Sequence, residues 1–282
     1  MARLIMAHDL GTTGNKATLY DVGGGLVSSA FSPYETHHLG QNRVEQDPDA
    51  WWRAVVESTR QLLGASAAGA GDVACVSFSA QMMGCVPVDA KGRALRPAII
   101  WADQRAEAQT DLIAERVGAD RIYEITGHRL GPSYSIEKIM WVRDNEPEIY
   151  AEAECFLQAK DYVAARLTGA RATDYSDASG TNCFDLTERT WSAEILDAVD
   201  FDVALLPEPR PSTDVVGEVL PGAAEECGLR AGTPVVIGGG DGSCAAVGAG
   251  SVREGAAYNY IGSSSWIALA TDAPLLDPKH RT

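Results

Sequence analysis

Three strand signals follow one another at the start of this chain, before any helix signal. Arg3 to Ala7 is apolar and predicts a buried strand, which runs into the polar segment 8–14 (HDLGTTG). Asn15 to Tyr20 predicts a second strand, and glycines 23–25 predict a turn into a third strand at Leu26 to Ser32. Consecutive strands joined by short turns pair antiparallel, so the sequence predicts hairpins at its beginning.

The first helix signal comes at Asp47, an N-cap residue that precedes Pro48, and it ends near Gly64. A further strand is predicted at Val73 to Phe78, and the prolines at Pro207 to Pro211 predict a surface connection. Other helices are predicted at about Arg105 to Val117, Ser135 to Asn145, Lys160 to Thr168 and Trp191 to Val199. This order predicts an α/β fold, with a mixed sheet, antiparallel opening hairpins and flanking helices.

The charge balance restricts the partners of the chain. Of 282 residues, 39 are acidic and 23 are basic, a formal net charge of −16. Such a chain repels phosphate backbones and anionic lipid, so we expect neither nucleic acid nor membrane as a partner. The six cysteines form no C-x-x-C pair and are expected to be reduced core residues. The apolar run Leu4 to Ala7 is too short for a signal peptide, so we expect a cytoplasmic protein.

The loop Gly11-Thr12-Thr13 follows the first strand and has the composition of a phosphate-binding loop. Glycine amides and short hydroxyls reach phosphate oxygens without side-chain bulk. Asp9, at the end of the strand, is placed to hold Mg²⁺, which prefers one or two carboxylates plus phosphate oxygens. The alternative is an ordinary polar hairpin turn. Gly262-Ser263-Ser264 repeats this pattern between two apolar strands, although such turns are common.

Asp241 follows a short apolar strand, Pro234 to Ile237, and a run of glycines, and it precedes a predicted helix at Ser243 to Gly250. Residues 240–245 formally fit the dinucleotide fingerprint G-x-G-x-x-A, but a hairpin follows where that motif needs a β-α-β unit. The other interpretation is a carboxylate that acts as general base for a hydroxyl nucleophile.

Two polar and aromatic clusters stand at predicted strand ends, where α/β folds usually bind ligands. One is segment 79–84 (SAQMMG) and the other is segment 101–105 (WADQR). On their own, Met82 and Met83 are interpreted more readily as core residues, and Trp101 fits a core position equally well.

Several segments together resemble the FGGY family of carbohydrate kinases, and within it the xylulokinase group most closely. The segments that carry the resemblance are, in chain order, 8–14 (HDLGTTG), 45–52 (EQDPDAWW), 81–84 (QMMG), 96–103 (RPAIIWAD), 174–181 (DYSDASGT) and 238–241 (GGGD). Ser133-x-Ser135-x-x-Lys138-Ile139-x-Trp141-Val142-x-Asp144-Asn145 also looks like the first signature of the family at every defined position.

The resemblance implies an actin-like, ribonuclease H-like fold in which two such domains close over ATP and a sugar. It implies that Asp241 is the catalytic base and contacts the sugar, and that Asp9 organises Mg²⁺. The implied phosphate-binding residues are Gly11, Thr12, Thr13, Gly262, Ser263 and Ser264. The implied sugar-pocket residues are Gln81, Met82, Met83, Trp101 and Asp103.

The expected activity is therefore ATP-dependent phosphorylation of a ketopentose such as xylulose, or of a related sugar or polyol. Xylulokinases usually have histidine where Met83 stands, and this exchange should change which sugar hydroxyl is recognised. We expect a sugar-binding and catalytic domain at 1–250, and at 251–282 the first hairpin of a truncated second domain, which would leave the isolated chain inactive. A homodimer is expected from the family resemblance alone. The alternatives are an actin-fold ATPase that does not act on sugars, and an inactive sugar-binding fragment.

Overall fold

The computed structural model describes residues 3–66, 68–261, 265–277 and 279. The strands are β1 (Leu4–Leu10), β2 (Gly14–Asp21), β3 (Leu26–Pro33), β4 (His37–Gly40), β5 (Arg43–Gln46), β6 (Val73–Ala80), β7 (Val86–Val88), β8 (Ala98–Ile99), β9 (Cys155–Leu157), β10 (Ala172–Asp174), β11 (Phe184–Asp185), β12 (Thr190–Trp191), β13 (Glu208–Arg210), β14 (Val215–Glu218), β15 (Pro234–Val236), β16 (Gly239–Gly240), β17 (Ala257–Ile261) and β18 (Ser265–Leu269). The helices are α1 (Pro48–Ala65), α2 (Glu107–Arg116), α3 (Ala119–Thr126), α4 (Ser135–Asn145), α5 (Pro147–Glu152), α6 (Ala159–Thr168), α7 (Tyr175–Ser179), α8 (Ala193–Ala198), α9 (Pro221–Cys227) and α10 (Asp241–Gly248).

The opening hairpins form one half of the central sheet. Strand β2 pairs antiparallel with both β1 and β3, as the sequence predicts. On its other edge β1 pairs parallel with β6, and β15 and β16 both pair parallel with β6. The sheet order is β14-β15-β6-β1-β2-β3, with β16 beside β6 where β15 breaks off. This mixed sheet brings the carboxyl ends of β1, β6 and β16 to one edge.

Side chains alternate strictly along β1, so the sheet has one sealed face and one open face. Met6 and His8 are buried, whereas Asp9 between His8 and Leu10 is exposed. Helix α1 covers the sealed face. Asp47 caps the amino terminus of this helix, and Trp51 and Val55 recur on the side that packs into the core. Helices α6 and α9 contribute to the same core cluster. The open face is therefore available to ligands.

A second core cluster lies under α2, α3, α4 and α8, away from the central sheet. Its largest members include Trp141 and Phe184, which pack among buried isoleucines. Strand β5 pairs antiparallel with β8, and this contact joins the first hairpins to the segment that precedes α2. Among the described helices, none is long and apolar enough to cross a bilayer.

Three predicted segments differ from the structure. Pro207 to Pro211 is not merely a surface connection, because Glu208–Arg210 pairs parallel with β10. Trp191 ends a short strand instead of starting a helix, since the Ser192 hydroxyl caps α8. The last predicted helix begins earlier than expected, at Asp241, because Gly240 supplies the extended N-cap. All six cysteines are free, and four of them are buried: Cys85, Cys155, Cys183 and Cys227.

Candidate active site

Three parallel strands end level with one another at the edge of the sheet. Leu10 of β1 pairs with Ala80 of β6, and Ala80 pairs with Gly240 of β16. The segments that begin at Gly11, Gln81 and Asp241 therefore leave the sheet side by side. Three of the loops predicted from the sequence meet at this edge, as expected for the carboxyl ends of parallel strands.

The loop after β1 is held by its carbonyl oxygens. Its turn closes through a hydrogen bond from the Gly11 amide to the Gly14 carbonyl, 3.1 Å. Thr12 O accepts a hydrogen bond from Gln46 Nε2, 2.7 Å, and another from Thr36 Oγ1, 3.2 Å. The sequence identifies Gln46 only as a member of segment 45–52 and assigns it no role. In the structure its hydrogen bond to Thr12 O holds the predicted phosphate-binding loop. Thr13, the next residue of that loop, is exposed.

Asp9 lies on the open face, in a cleft of about 360 Å³ that Lys16 and Ser79 also line. Ser79 Oγ donates a hydrogen bond to Asp9 Oδ1, 2.9 Å. Lys16 faces Asp9 directly across the β1–β2 pair and is exposed, which places a cation beside the predicted metal ligand. Lys16 was not among the residues predicted from the sequence. The sequence feature that could have identified Lys16 is its position two residues after Gly14, which places it on the open face of β2.

The residues around Asp9 fit a magnesium ion that is also bound by phosphate. Across the described part of the chain, no group of three or more His, Cys, Asp and Glu side chains could hold a metal ion by itself. Mg²⁺ needs no such group, because one or two carboxylates, waters and phosphate oxygens complete its octahedron. The exposed Asp9 carboxylate offers that kind of ligand.

Asp241 is the first residue of α10 and lies close enough to Asp9 for the two charges to interact. Its side chain keeps an exposed surface, but partial burial raises the pKa of the carboxyl. The Gly242 amide acts to lower this pKa, and the negative charge of Asp9 raises it further. A carboxylate with a raised pKa accepts a proton more readily than an ordinary aspartate, which suits a general base.

Met82 fills the space between β16 and α7. A Cβ atom on Gly240 would lie 2.5 Å from Met82 Sδ, and a Cβ atom on Gly180 would lie 3.4 Å from Met82 Cε. Met83 also contacts the Gly180 position, and its backbone has φ +59°, a left-handed conformation uncommon for a side chain of this size. Both methionines are partly buried, so neither is a fully enclosed core residue.

A buried lysine holds the Met83 backbone in place. Lys138 of α4 is fully buried, and its ammonium donates hydrogen bonds to the carbonyl oxygens of Met83, 2.7 Å, Ile100, 2.8 Å, and Ser133. Burial lowers the pKa of Lys138 to about 7, while Asp103 acts to raise it. Lys138 therefore joins the two loops predicted to bind sugar.

The predicted sugar and phosphate residues touch one another. Trp101 is 41% exposed, and its indole Nε1 donates a hydrogen bond to Thr12 Oγ1, 3.0 Å. Gln81 is buried, and its Nε2 donates to Gln46 Oε1, 2.7 Å. Gln46 in turn reaches the Thr12 carbonyl, so both sides of the site converge on one loop residue.

Asp103 is buried completely and is bound on both oxygens. Arg105 contacts both carboxylate oxygens, and the Val44 amide donates to Oδ2, 2.6 Å. Asp103 thus shapes the turn after Trp101 and has no exposed surface to offer a ligand. Gly262, Ser263 and Ser264 lie outside the described residues, between the antiparallel strands β17 and β18.

Comparison with known proteins places these residues in a family context. The sequence model of the "FGGY family of carbohydrate kinases, N-terminal domain" matches residues 4–248. The chain is 34% identical to the xylulose kinase of Bacillus subtilis (strain 168) over 265 residues, 94% of this chain and 53% of that protein. It is also 34% identical to the xylulose kinase of Escherichia coli (strain K12), over 96% of this chain and 55% of that protein.

Solved structures agree with the sequence relatives. Ligand-bound xylulose kinase from Lactobacillus acidophilus superposes with a TM-score of 0.91 at 28% identity, covering 98% of this chain and 56% of that one. A gluconate kinase from the same organism gives a TM-score of 0.92 at 28% identity, covering 99% of this chain and 56% of that one. The chain spans about half the length of the curated relatives it matches.

Proposed function

The chain belongs to the FGGY family of carbohydrate kinases, and from this we propose that it carries the sugar-binding and catalytic-base domain of an ATP-dependent sugar kinase. The observation that carries the proposal is the convergence of three loops at one sheet edge. There Asp241 follows β16, the segment Gln81 to Met83 follows β6, and Asp9 lies one residue before the end of β1, and these strands end in register. Phosphoryl transfer needs mainly positioning, charge neutralisation and a base, and this edge offers residues for all three.

In the proposed reaction Asp241 is the base. The sugar hydroxyl oxygen attacks the γ-phosphorus of ATP, the bond to the β,γ-bridging oxygen breaks, and ADP leaves with that electron pair. Asp241 takes the hydroxyl proton, a role that the raised pKa of its carboxyl supports. As pH falls below that pKa, Asp241 becomes protonated and turnover is expected to decrease.

On the phosphate side, we assign Gly11, Thr12 and Thr13 to the phosphates, together with the loop 262–264. Mg²⁺ would neutralise phosphate charge, with Asp9 as its carboxylate ligand. Lys16 is a second cation on the same face, opposite Asp9 in the sheet.

On the sugar side, the proposed substrate is a ketopentose such as xylulose, because the two sequence relatives named above at 34% identity are xylulose kinases, whereas one of the two solved structures is a gluconate kinase. We assign Gln81, Met82, Met83 and Trp101 to the sugar pocket, where Met82 packs against Gly240, the neighbour of Asp241. Asp103 shapes the turn after Trp101 through its bonds to Val44 and Arg105. A thioether at position 83 neither donates nor strongly accepts hydrogen bonds, so this site would select its sugar by shape at that position.

The wider organisation is part of the same proposal. We assign residues 1–250 to one actin-like domain, and the hairpin of β17 and β18 to the beginning of a second one. We also assign the protein to the cytoplasm, as a homodimer. Sedimentation analysis of the full-length protein measures its oligomeric state.

The decisive experiment uses the full-length product of the reading frame that contains this sequence. ATP turnover is measured with D-xylulose, D-ribulose, gluconate and glycerol, and with the variant Asp241→Asn. We expect a ketopentose to be phosphorylated and Asp241→Asn to lower kcat by at least about 100-fold. Asp111→Asn, an exposed position on α2, is the control and should leave kcat unchanged.

Two results would contradict the proposal. Undiminished turnover by Asp241→Asn would remove this residue from the role of base. ATP hydrolysis that no sugar stimulates, without sugar binding in calorimetry, would favour an actin-fold ATPase of another kind.

A further inference from the structure

The backbone that carries Asp241 is held by a side chain from a distant segment. The Gly240 amide, immediately before Asp241, donates a hydrogen bond to Ser176 Oγ, 2.9 Å. Ser176 belongs to the short helix α7, which packs against β16. A Cβ atom on Gly239 would lie 3.2 Å from the same oxygen, so glycine at this position permits the close approach.

Behind Ser176 stands a buried carboxylate. Asp174 Oδ2 accepts hydrogen bonds from Ser176 Oγ, 2.6 Å, from the Ser176 amide, 2.9 Å, and from Ser212 Oγ, 2.7 Å. Its other oxygen lies 2.9 Å from Lys160 Nζ. Asp174 is fully buried and caps α7, so its position is fixed by contacts from three segments.

The charge state of this cluster sets the direction of its hydrogen bonds. Lys160 is fully buried and contacts three buried carboxylates, those of Asp161, Asp174 and Asp177. Burial acts to raise the pKa of Asp174, but Lys160 and the serine hydroxyls outweigh it and hold the pKa below its usual value. For Asp177, burial prevails and the pKa rises well above its usual value. The cluster therefore keeps Asp174 ionised.

An ionised carboxylate accepts hydrogen bonds and donates none. The Ser176 hydroxyl must then direct its proton to Asp174, which leaves an oxygen lone pair for the Gly240 amide. Each bond of this series, from Lys160 to Asp174, to Ser176 and to Gly240, has one possible direction. Charge-assisted bonds in a buried network of this kind resist rearrangement.

We propose that Ser176 is a positioning residue for the base: with Asp174 and Lys160 as its buried anchor, it fixes the Gly240 backbone and so sets where the Asp241 carboxylate meets the substrate. The inference rests on the proposed function, because it assigns a role relative to the base named there. Ser176 does not touch the reacting atoms itself.

Ser212 provides a matched control, because it donates to the same oxygen of Asp174 but its hydroxyl does not contact Gly240. If these serines only stabilise the buried cluster, Ser176→Ala and Ser212→Ala should have similar effects. If Ser176 positions the base, the effects should differ in kind. Ser176 is partly buried and Ser212 is exposed, so alanine fits at both positions.

The kinetic test compares Ser176→Ala, Ser176→Thr and Ser212→Ala in the full-length protein, with the best sugar substrate. We expect Ser176→Ala to lower kcat by about 10- to 100-fold with the sugar KM changed less than about threefold, since misplacement of a reacting group by an ångström has effects of this size. Ser176→Thr keeps the hydroxyl and should recover most of kcat, and Ser212→Ala should stay within about twofold of wild type. Equal losses in Ser176→Ala and Ser212→Ala, or no loss in Ser176→Ala, would overturn the inference.

A second measurement does not depend on catalysis. Amide hydrogen exchange of the segment 239–242 should be about fivefold to tenfold faster in Ser176→Ala, because the Gly240 amide loses its acceptor. Ser212→Ala should leave this exchange unchanged. If the wild-type protein phosphorylates no sugar but the exchange behaves as expected, only the proposed function is contradicted. If the exchange of Ser176→Ala is unchanged, only the inference is contradicted.

Discussion

At the scale of single residues, Glu137 is expected to make stability depend on pH. Its carboxyl is fully buried, and burial raises its pKa to about 8, although the Asn182 side chain and Lys138 act to lower it. The unfolded chain has an ordinary glutamate, so folding favours the protonated form. This contribution is complete below the unfolded pKa, and it is lost as pH rises toward 8 at about 1.4 kcal/mol per pH unit.

Glu137→Gln removes this titration while it keeps an oxygen for Asn182, which donates to Glu137 Oε1 at 3.1 Å. We expect the variant to be more stable than wild type at pH 8 by at least about 1 kcal/mol, and the difference to shrink toward pH 5. Urea unfolding at pH 5, 6.5 and 8 measures it. Lys138 also titrates, and the Glu137 charge acts to raise its pKa, so part of the pH dependence of this difference comes from Lys138. A stability difference that does not change with pH would contradict the prediction.

Lys138 illustrates what residue patterns could and could not predict. The sequence identified it as part of a family signature on a helix, and α4 has the predicted bounds, Ser135–Asn145. Its contacts with Met83 and Ile100 come from loops far away in the sequence. No local spacing encodes such contacts, because three carbonyl groups meet one ammonium only after the fold has formed.

At the scale of elements, the break between β15 and β16 is expected to depend on Gly238. This glycine has φ +72°, and a Cβ atom there would lie 2.0 Å from the Phe78 carbonyl oxygen. A side chain would therefore overlap the backbone of β6 in a conformation that already disfavours L-residues. We expect Gly238→Ala to lower the free energy of unfolding by at least about 3 kcal/mol, as measured by urea denaturation.

Gly222 serves as the control for this prediction. It lies in α9, where nothing is within 4 Å of an added Cβ atom. Gly222→Ala should be neutral or stabilise the protein by up to about 1 kcal/mol, because alanine favours helix. Equal stabilities of the two variants would show that β6 can shift to accept a side chain at position 238.

Elements with strong local signals were predicted well. Helix α1 follows from Asp47 and Pro48, and β2 from its alternating apolar residues. The short pieces were not predicted, because β16 has two residues and α7 has five, too few for any periodicity. Both pieces lie next to Asp241, and neighbouring elements determine their positions: β16 pairs with β6, and α7 packs against β16. Their positions follow from tertiary contacts that a linear pattern does not contain.

At the scale of the whole molecule, two core clusters are connected by a buried set of ion pairs. Arg105 lies 2.7 Å from Asp103 and 2.8 Å from Glu45, and Arg96 also contacts Glu45. Arg105 further stacks over Trp141 of the second cluster, 4.8 Å from its ring centre. The expected actin-like α/β fold is confirmed by the likeness to solved sugar kinases. The division at residue 250 stays a prediction.

The net charge of −16 should oppose folding through general repulsion. Raising sodium chloride from 20 to 200 mM screens exposed charges more than buried pairs. We therefore expect Tm to rise by about 1 to 3 °C in a thermal melt at pH 7.5.

Choline chloride at the same ionic strength is the control and should give the same rise, because screening does not depend on the identity of the cation. A fall in Tm with either salt would show that exposed ion pairs outweigh the repulsion.

The alternation along β1 has an evolutionary consequence. Met6 and His8 point into the sealed face, while Asp9 points to the open one. Deletion of one residue before Asp9 would turn every side chain of the shifted part of β1 to the opposite face of the sheet. The Asp9 carboxylate would then enter the core, and an apolar side chain would move from the core to the open face. Mutational drift can therefore change side chains in this strand but not its length. Lineages that carry the domain should accumulate insertions and deletions in its surface loops while the spacing from Leu4 to Asp9 stays constant.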